Sequence, residues 1–175
     1  MNPKDRLANI RVLLLDADGV LTDGGILYQA DGTEIKCFHA KDGLGIRLLM
    51  ENGIQVGIVT GRSSEALLHR CRNLGITLVF DSVRDKGAVL EEILARTGTK
   101  AEEIAFAGDD LPDIPLMRMV GFSAAVADAH VAVRAAADMV TIQQGGRGGV
   151  REICEAILRA HGVWEKILQG FRGIM

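Results

Sequence analysis

The chain has 175 residues, of which 48% are hydrophobic and only 3 are proline, and this composition suits one compact domain with a buried core. Its formal net charge of −3 leaves no basic excess for binding a nucleic-acid backbone or an anionic membrane surface. No run approaches the roughly 18 apolar residues that span a bilayer. The 3 cysteines are widely spaced without a CxxC pair, which favours reduced thiols in a cytoplasmic protein.

Short apolar runs rich in β-branched residues alternate along the chain with longer stretches of helical period. The predicted strands span residues 11–16, 55–60, 77–80, 104–107, 121–126 and 139–141. The predicted helices span residues 42–52, 63–74, 86–97, 112–119, 129–135 and 149–160. Strands that alternate with helices in this way indicate βαβ units around a parallel sheet. We therefore predict an α/β fold, a three-layer doubly wound parallel sheet, in a single domain over residues 1–175.

Two segments break the alternation of strands and helices. Residues 25–39 read GILYQADGTEIKCFH, in which two runs of strand-forming residues flank an Asp-Gly pair. This pattern predicts a β-hairpin, which we expect to project beside the end of the first strand. Residues 162–175 form a C-terminal tail whose apolar residues, among them Trp164 and Phe171, fit either an intrachain core or a subunit interface.

Aspartates follow the first and fourth predicted strands. Asp16 and Asp18 end the first strand, and Asp109, Asp110 and Asp113 follow the fourth. The carboxyl ends of parallel strands form the crevice in which ligands bind, and close carboxylates repel one another unless a cation or a proton lies between them. Taken singly, these aspartates also suit purely structural roles, because Asp and Gly are common in turns and Asp110 alone suits a helix cap.

A hydroxyl and a cation follow the second and third predicted strands. Thr60, Gly61 and Arg62 lie at a helix start, where free N–H groups form an anion pocket, although Ser63 also suits an ordinary N-cap. Lys86 is expected to open the helix 86–97, where a cation opposes the helix dipole and needs a negative partner; an exposed surface lysine is the alternative. Turns, caps and surface positions do not readily explain all four strand ends together.

These four segments resemble, in order and position, the four motifs of the haloacid dehalogenase superfamily of phosphohydrolases. Four further segments resemble its capless sugar phosphatases, namely residues 21–24 (LTDG), 41–47 (KDGLGIR), 126–130 (VADAH) and 145–152 (GGRGGVRE). The resemblance covers nearly the whole chain and implies a Mg²⁺-dependent phosphoric monoester hydrolase of lipopolysaccharide synthesis. Its implied substrate is an eight-carbon sugar acid 8-phosphate. The alternatives are a nine-carbon sialic-acid-type sugar 9-phosphate and a non-catalytic, phosphatase-like assembly module.

The resemblance also implies catalytic roles. Asp16 would be the nucleophile that forms an aspartyl-phosphate, and Asp18 would protonate the leaving oxygen and then deprotonate water. Thr60 and Lys86 would hold the transferring oxygens and offset their charge. The implied metal ligands are Asp16, the backbone carbonyl of Asp18, and Asp109, supported by Asp110 and Asp113.

The resemblance implies a substrate site and an assembly as well. The implied substrate-binding residues are Asp18, His39, Ala40, Lys41, Asp42, Gly43, Arg47, Gly61, Arg62, Arg70 and Lys86. Guanidinium groups suit the carboxylate of a sugar acid, although Arg47 and Arg70 also lie on predicted helices, where solvent-facing arginines are ordinary. In the capless relatives neighbouring subunits help to close the active site, so a homotetramer is implied. Ala17 replaces a larger β-branched residue and is expected to alter packing only.

Overall fold

A parallel β-sheet forms the centre of the protein in the computed structural model, which describes residues 2–173. The strands are β1 (Val12–Leu15), β2 (Leu27–Tyr28), β3 (Glu34–Ile35), β4 (Gln55–Val59), β5 (Leu78–Phe80), β6 (Ile104–Gly108), β7 (Phe122–Ala125) and β8 (Met139–Val140). β2 and β3 pair as a separate antiparallel hairpin. The other six strands lie in the order β5-β4-β1-β6-β7-β8, and all of their pairings are parallel.

This strand order places a topological switch point beside β1. The chain builds from β1 through β4 to β5 on one side and then crosses to β6 on the other side. Leu15 pairs in register with Ile58 of β4 and with Ala107 of β6, so the carboxyl ends of the three strands lie side by side. Ligands of doubly wound sheets bind in the crevice at such a switch point.

Helices flank the sheet, as predicted for an α/β fold. They are α1 (Pro3–Ala8), α2 (Ala40–Glu51), α3 (Glu65–Leu74), α4 (Leu90–Thr97), α5 (Ile114–Met117), α6 (Val131–Ala136), α7 (Gly149–Ala160) and α8 (Trp164–Arg172). Two short 3-10 turns span Ala101–Glu103 and Leu111–Asp113. Within residues 2–173, none of these helices combines the length and the apolar character that a bilayer crossing requires.

The predicted hairpin is present, and the ends of the predicted sheet strands are shifted by at most one residue. Of the predicted helices only 149–160 keeps both bounds, and α2 and α6 each begin two residues from their predicted starts. The helix predicted to start at Lys86 starts at Leu90, because the N–H groups of Gly87 and Ala88 bond to the Asp85 side chain in a turn. α3 starts at Glu65 after Ser64, whose hydroxyl caps it. The helix predicted over 112–119 divides into a 3-10 turn and the short α5.

Two helices were not predicted. At the N-terminus, the Asn2 side chain accepts a hydrogen bond from the backbone N–H of Asp5 and caps α1. In the tail, α8 buries Trp164, which lies under the guanidinium groups of Arg151 and Arg159 at 5.6 and 4.9 Å. Phe171 is exposed, and residues 174–175 of the predicted tail lie outside the described residues. Much of the apolar character of the tail therefore belongs to the intrachain core.

Candidate active site

Asp16 lies directly after β1, at the switch point of the sheet. Its backbone N–H donates to the carbonyl of Ala107 at 3.0 Å, which continues the pairing of β1 with β6. Its side chain is buried, and the ammonium of Lys86 lies 2.7 Å from Oδ1. Burial raises the pKa of Asp16 to about 6, although the charge of Lys86 acts in the opposite direction. The carboxylate is thus desolvated and held by one cation.

Asp109 and Asp113 bring two further carboxylates to this point. One oxygen each of Asp16, Asp109 and Asp113 lies within 4.8 Å of the others. Burial, and then the negative charges of Asp16 and Asp113, raise the pKa of Asp109 to about 8. Gly19, which has a φ of +88°, makes room for Asp109, because a Cβ there would lie 2.1 Å from its Oδ2. The cluster carries more negative charge than Lys86 balances, so its donor set fits a hard divalent cation.

Within this cluster, Asp113 differs from the other two carboxylates because protein groups occupy both of its oxygens. Oδ2 accepts the backbone N–H groups of Asp109 and Asp110 at 2.8 and 3.1 Å, and Oδ1 accepts from Lys86 at 2.5 Å. Asp113 therefore holds the loop that carries Asp109 and orients the lysine. Asp110 is exposed and caps the 3-10 turn by accepting from the N–H of Leu111.

Thr60 and Lys86 line the same cavity, which has a volume of about 490 Å³. Its lining residues are Asp16, Asp18, Gly24, Thr60, Gly61, Arg62, Val83, Arg84, Lys86, Asp109, Asp110, Pro112 and Asp113. Burial alone would lower the pKa of Lys86, but Asp16 and Asp113 outweigh it and raise the pKa, so the lysine stays charged. A charged ammonium and a buried hydroxyl in one cavity are suited to hold a phosphate group. Arg84 also lines this cavity and was not predicted.

Asp18 places its carboxylate against cations of the hairpin and of the segment after β4. Oδ1 contacts the ammonium of Lys36, which in turn lies 2.6 Å from Glu34, and Oδ2 lies 3.6 Å from Nε of Arg62. Glu34 and Lys36 belong to the hairpin and were missed by the sequence interpretation. Their spacing of two residues in an extended segment indicates a shared face, but nothing in the sequence identified the face that meets Asp18.

The predicted substrate-binding residues do not all meet in one cavity. Gly61 and Arg62 line the cavity at the switch point, whereas Arg47 and Arg70 line a separate surface cavity of about 270 Å³ together with Ala40 and Gly43. Arg70 also approaches the carbonyl of His39 at 3.4 Å. One chain thus presents the predicted phosphate site and most of the predicted sugar-acid site as two cavities.

Lys41 and Asp42 lie elsewhere again. Lys41 is exposed and lines a third surface cavity with Arg147 and Arg151. Asp42 is buried and accepts the backbone N–H groups of Arg151 at 2.8 Å and of Gly148 at 3.3 Å. Its carboxylate therefore caps the start of α7, which is a structural use that the sequence interpretation did not anticipate.

The Gly-rich segment 145–149 packs against the loop that carries Asp18. A Cβ on Gly145 would lie 1.7 Å from the carbonyl oxygen of Gly19, and the N–H of Gly146 donates to the carbonyl of Val20 at 2.9 Å. Glycine is required here because two backbones meet without side chains between them. The segment therefore supports the loop that follows β1.

Acids, a threonine and a lysine from four strand-to-helix connections surround one cavity at the switch point. This arrangement defines a metal-assisted phosphohydrolase site of the haloacid dehalogenase type. Similarity to known proteins identifies the family within that class. A model of the haloacid dehalogenase-like hydrolases matches residues 79–153. The 3-deoxy-D-manno-octulosonate 8-phosphate phosphatase of Yersinia pestis is 46% identical over 155 residues, which are 89% of this chain and 83% of the relative.

Solved structures of phosphatases with this name are also similar to this chain. The phosphatase of that name from Moraxella catarrhalis, in complex with a magnesium ion, a phosphate ion and a KDO molecule, superposes with a TM-score of 0.94 at 37% identity and covers 96% of this chain and 97% of that one. The cobalt-bound Haemophilus influenzae enzyme has a TM-score of 0.91 at 42% identity, with 95% and 98% covered. The chain belongs to the haloacid dehalogenase-like hydrolases, in the family of the 3-deoxy-D-manno-octulosonate 8-phosphate phosphatases.

Proposed function

We propose that this protein hydrolyses 3-deoxy-D-manno-octulosonate 8-phosphate to the free sugar acid and inorganic phosphate. The observation that carries the proposal is the buried Asp16 carboxylate, held 2.7 Å from Lys86 beside Asp109 at the switch point. The names of the relatives support the substrate, and the cavity at this point supports the reaction. All four motifs keep their reactive side chains, which argues against a non-catalytic assembly module.

The reaction proceeds in two displacements at phosphorus. In the first, an oxygen of Asp16 attacks, the bond from phosphorus to the sugar oxygen breaks, and Asp18 transfers a proton to that leaving oxygen. In the second, Asp18 takes a proton from a water molecule that attacks phosphorus, and Asp16 leaves as a carboxylate. Inorganic phosphate is then released, and Asp18 is protonated again for the next cycle.

The charge that builds up on the phosphoryl oxygens is offset by groups of this chain. Lys86 supplies a buried positive charge, and Thr60 and the backbone after it supply hydrogen-bond donors. Asp16 and Asp109, with the carbonyl of Asp18, would hold Mg²⁺, which supplies Lewis-acid stabilisation of a phosphoryl oxygen and keeps Asp16 ionised. Asp113 keeps Lys86 and the Asp109 loop in place.

Stabilisation by Mg²⁺ is expected to grow as the pH rises. In the folded, metal-free protein the pKa values of Asp16 and Asp109 are raised from 3.8 to about 6 and about 8, so folding takes up protons between about pH 4 and pH 8. The metal-free protein therefore loses stability as the pH rises through this window. Mg²⁺ competes with those protons, and its effect should be about 1–3 kcal/mol larger at pH 8 than at pH 5.5.

Thermal melts with Mg²⁺ and with a chelator, at both pH values, measure this difference. Asp109→Asn, which removes one ligand and the carboxyl whose pKa is raised to about 8, should abolish most of the response to Mg²⁺. A Mg²⁺-induced shift in melting temperature that is equal at both pH values would contradict the assignment of the metal site.

We also propose that the functional form is a homotetramer in which neighbouring chains complete each site. Two observations support it: Arg47 and Arg70 lie in a different cavity from Lys86, and the hairpin exposes the apolar side chains of Ile26, Leu27, Tyr28 and Ile35. Exposed apolar patches of this kind mark protein interfaces. Light scattering gives the mass of the particle in solution, and a monomer at enzyme-assay concentrations would refute the proposal.

The substrate is tested by phosphate release from the eight-carbon sugar acid 8-phosphate and from the nine-carbon sialic-acid-type 9-phosphate, measured side by side. A clear preference for the nine-carbon compound would reject our choice.

Arg70→Ala should lower kcat/KM for the preferred sugar phosphate by roughly 10- to 100-fold through the loss of a charge-assisted contact. Arg72→Ala is the matched control, because Arg72 is exposed on the same helix and lies outside the cavity linings described above. It should stay within twofold of the parent.

We also propose that the protein is located in the cytoplasm. Cys37, Cys71 and Cys154 are all free thiols, and Cys37 is exposed, which suits a reducing compartment. Cell fractionation tests the location, and recovery of the protein in the periplasmic fraction would reject it.

A further inference from the structure

Lys36 is a lysine with a buried side chain on an otherwise exposed hairpin. It follows β3 directly, and only 1% of its side chain is exposed, whereas its chain neighbours Ile35 and Cys37 are exposed. Its ammonium lies between the carboxylates of Asp18 and Glu34 and reaches the latter at 2.6 Å. A buried lysine is retained only where negative groups compensate its charge, and here one of those groups is the proposed acid/base.

The contact leaves the two oxygens of Asp18 in different states. Oδ1 is held by Lys36, whereas Oδ2 has no hydrogen-bond partner among the described residues and lies 3.6 Å from Nε of Arg62. Asp18 itself lines the cavity that holds Asp16 and Lys86. One oxygen is thus anchored by a cation, while the other is buried beside Arg62 without a hydrogen bond among the described residues.

Glu34 links Lys36 to Arg62, so the contact of Lys36 with Asp18 is part of a larger ion-pair network. Its carboxylate shares the ammonium of Lys36 and also lies 3.7 Å from Nη2 of Arg62, so the hairpin and the segment after β4 meet at Asp18 in one ion-pair network. Such a network fixes the direction of Asp18 better than a single exposed ion pair would, because each charged group has two partners.

We propose that Lys36, with Glu34 as its counter-charge, is a positioning residue that fixes the carboxylate of Asp18 with one oxygen anchored and the other directed to the leaving-group oxygen. The inference rests on the proposed role of Asp18 in proton transfer. The hairpin would then serve the chemical step in addition to any role in assembly. A misplacement of about 1 Å in a reacting group costs roughly 100-fold in rate, so the effect is measurable.

The test uses two aryl phosphates that carry no sugar acid. Phenyl phosphate has a poor leaving group that needs a proton, whereas p-nitrophenyl phosphate has a good one that does not. Because kcat/KM covers only the steps up to the aspartyl-phosphate, the ratio of the two values reports proton delivery by Asp18. Lys36→Met should lower kcat/KM for phenyl phosphate roughly 10- to 100-fold and for p-nitrophenyl phosphate less than threefold.

The controls separate this inference from the proposed function. Lys166→Met, an exposed lysine of α8, should leave both values unchanged. Asp18→Asn should show the same selectivity as Lys36→Met, only larger; if it shows none, the proton-transfer role of Asp18 itself fails. Glu34→Gln keeps the lysine, should show the same selectivity in smaller degree, and carries the test if Lys36→Met does not fold.

Two results would overturn the inference. An equal loss of kcat/KM on both aryl phosphates would mean that Lys36 supports the fold or the phosphate site in general. A loss confined to the sugar phosphate would mean that Lys36 binds the sugar.

Discussion

Asp16→Asn is expected to lower the turnover of phosphate monoesters by roughly 10⁴-fold or more, since an amide oxygen cannot form the acyl phosphate that the mechanism requires. The fold should survive, because the substitution removes a desolvated carboxylate whose pKa is raised to about 6 and keeps the shape of the side chain. The measurement is Mg²⁺-dependent phosphate release, with circular dichroism to establish that the variant is folded.

A second Asp→Asn variant, placed away from the cavity, serves as the control for the loss of turnover. Asp138 accepts hydrogen bonds from Arg6 at 2.6 Å and from the N–H of Ser123 at 2.9 Å. It is not among the described residues that line the cavity. Asp138→Asn should therefore lower the melting temperature and leave turnover within a few-fold of the parent. Undiminished phosphate release by Asp16→Asn would remove Asp16 as the nucleophile and with it the covalent mechanism.

The meeting of Asp16, Thr60 and Asp109 in one cavity could be predicted because it depends on topology. Asp16, Thr60 and Asp109 each follow a strand directly, and the carboxyl ends of neighbouring parallel strands meet at one edge whatever the details of packing. The hydrophobic runs that predict the strands therefore also predict which polar residues come together. Lys86 reached the site although its predicted helix start was wrong, since the turn before α4 brings it to the same edge.

The remaining contacts around the site depend on side-chain directions, which the hydrophobic periodicity of the sequence does not predict. Lys36 contacts Asp18 because of the angle at which the hairpin leaves the sheet, and Asp42 caps α7 across more than one hundred residues of sequence. A carboxylate in a Gly-Leu-Gly context looks the same in sequence whether it binds a ligand or caps a helix. Arg47 and Arg70 line one cavity, and their separation from Lys86 in one chain is visible only in three dimensions.

Lys86→Met is expected to destabilise the metal-free protein by about 3–5 kcal/mol and to lower its melting temperature by roughly 10 °C or more. Lys86 is buried between Asp16 at 2.7 Å and Asp113 at 2.5 Å, and the substitution leaves both carboxylates desolvated without a cation. Turnover should fall roughly 10²- to 10³-fold, because a positive charge on the phosphoryl oxygens is lost. The measurements are thermal unfolding and kcat/KM.

A double variant separates the two effects of Lys86. In Lys86→Met/Asp113→Asn, one of the uncompensated charges is removed, so most of the lost stability should return, whereas turnover should stay low because no cation faces the phosphate. Mg²⁺ should also restore part of the stability of the single variant, since it neutralises the remaining carboxylates. If Lys86→Met destabilises the protein no more than Lys166→Met does, the lysine is not the charge that holds this cluster together. Recovery of activity along with stability in the double variant would show that Lys86 acts on the fold alone.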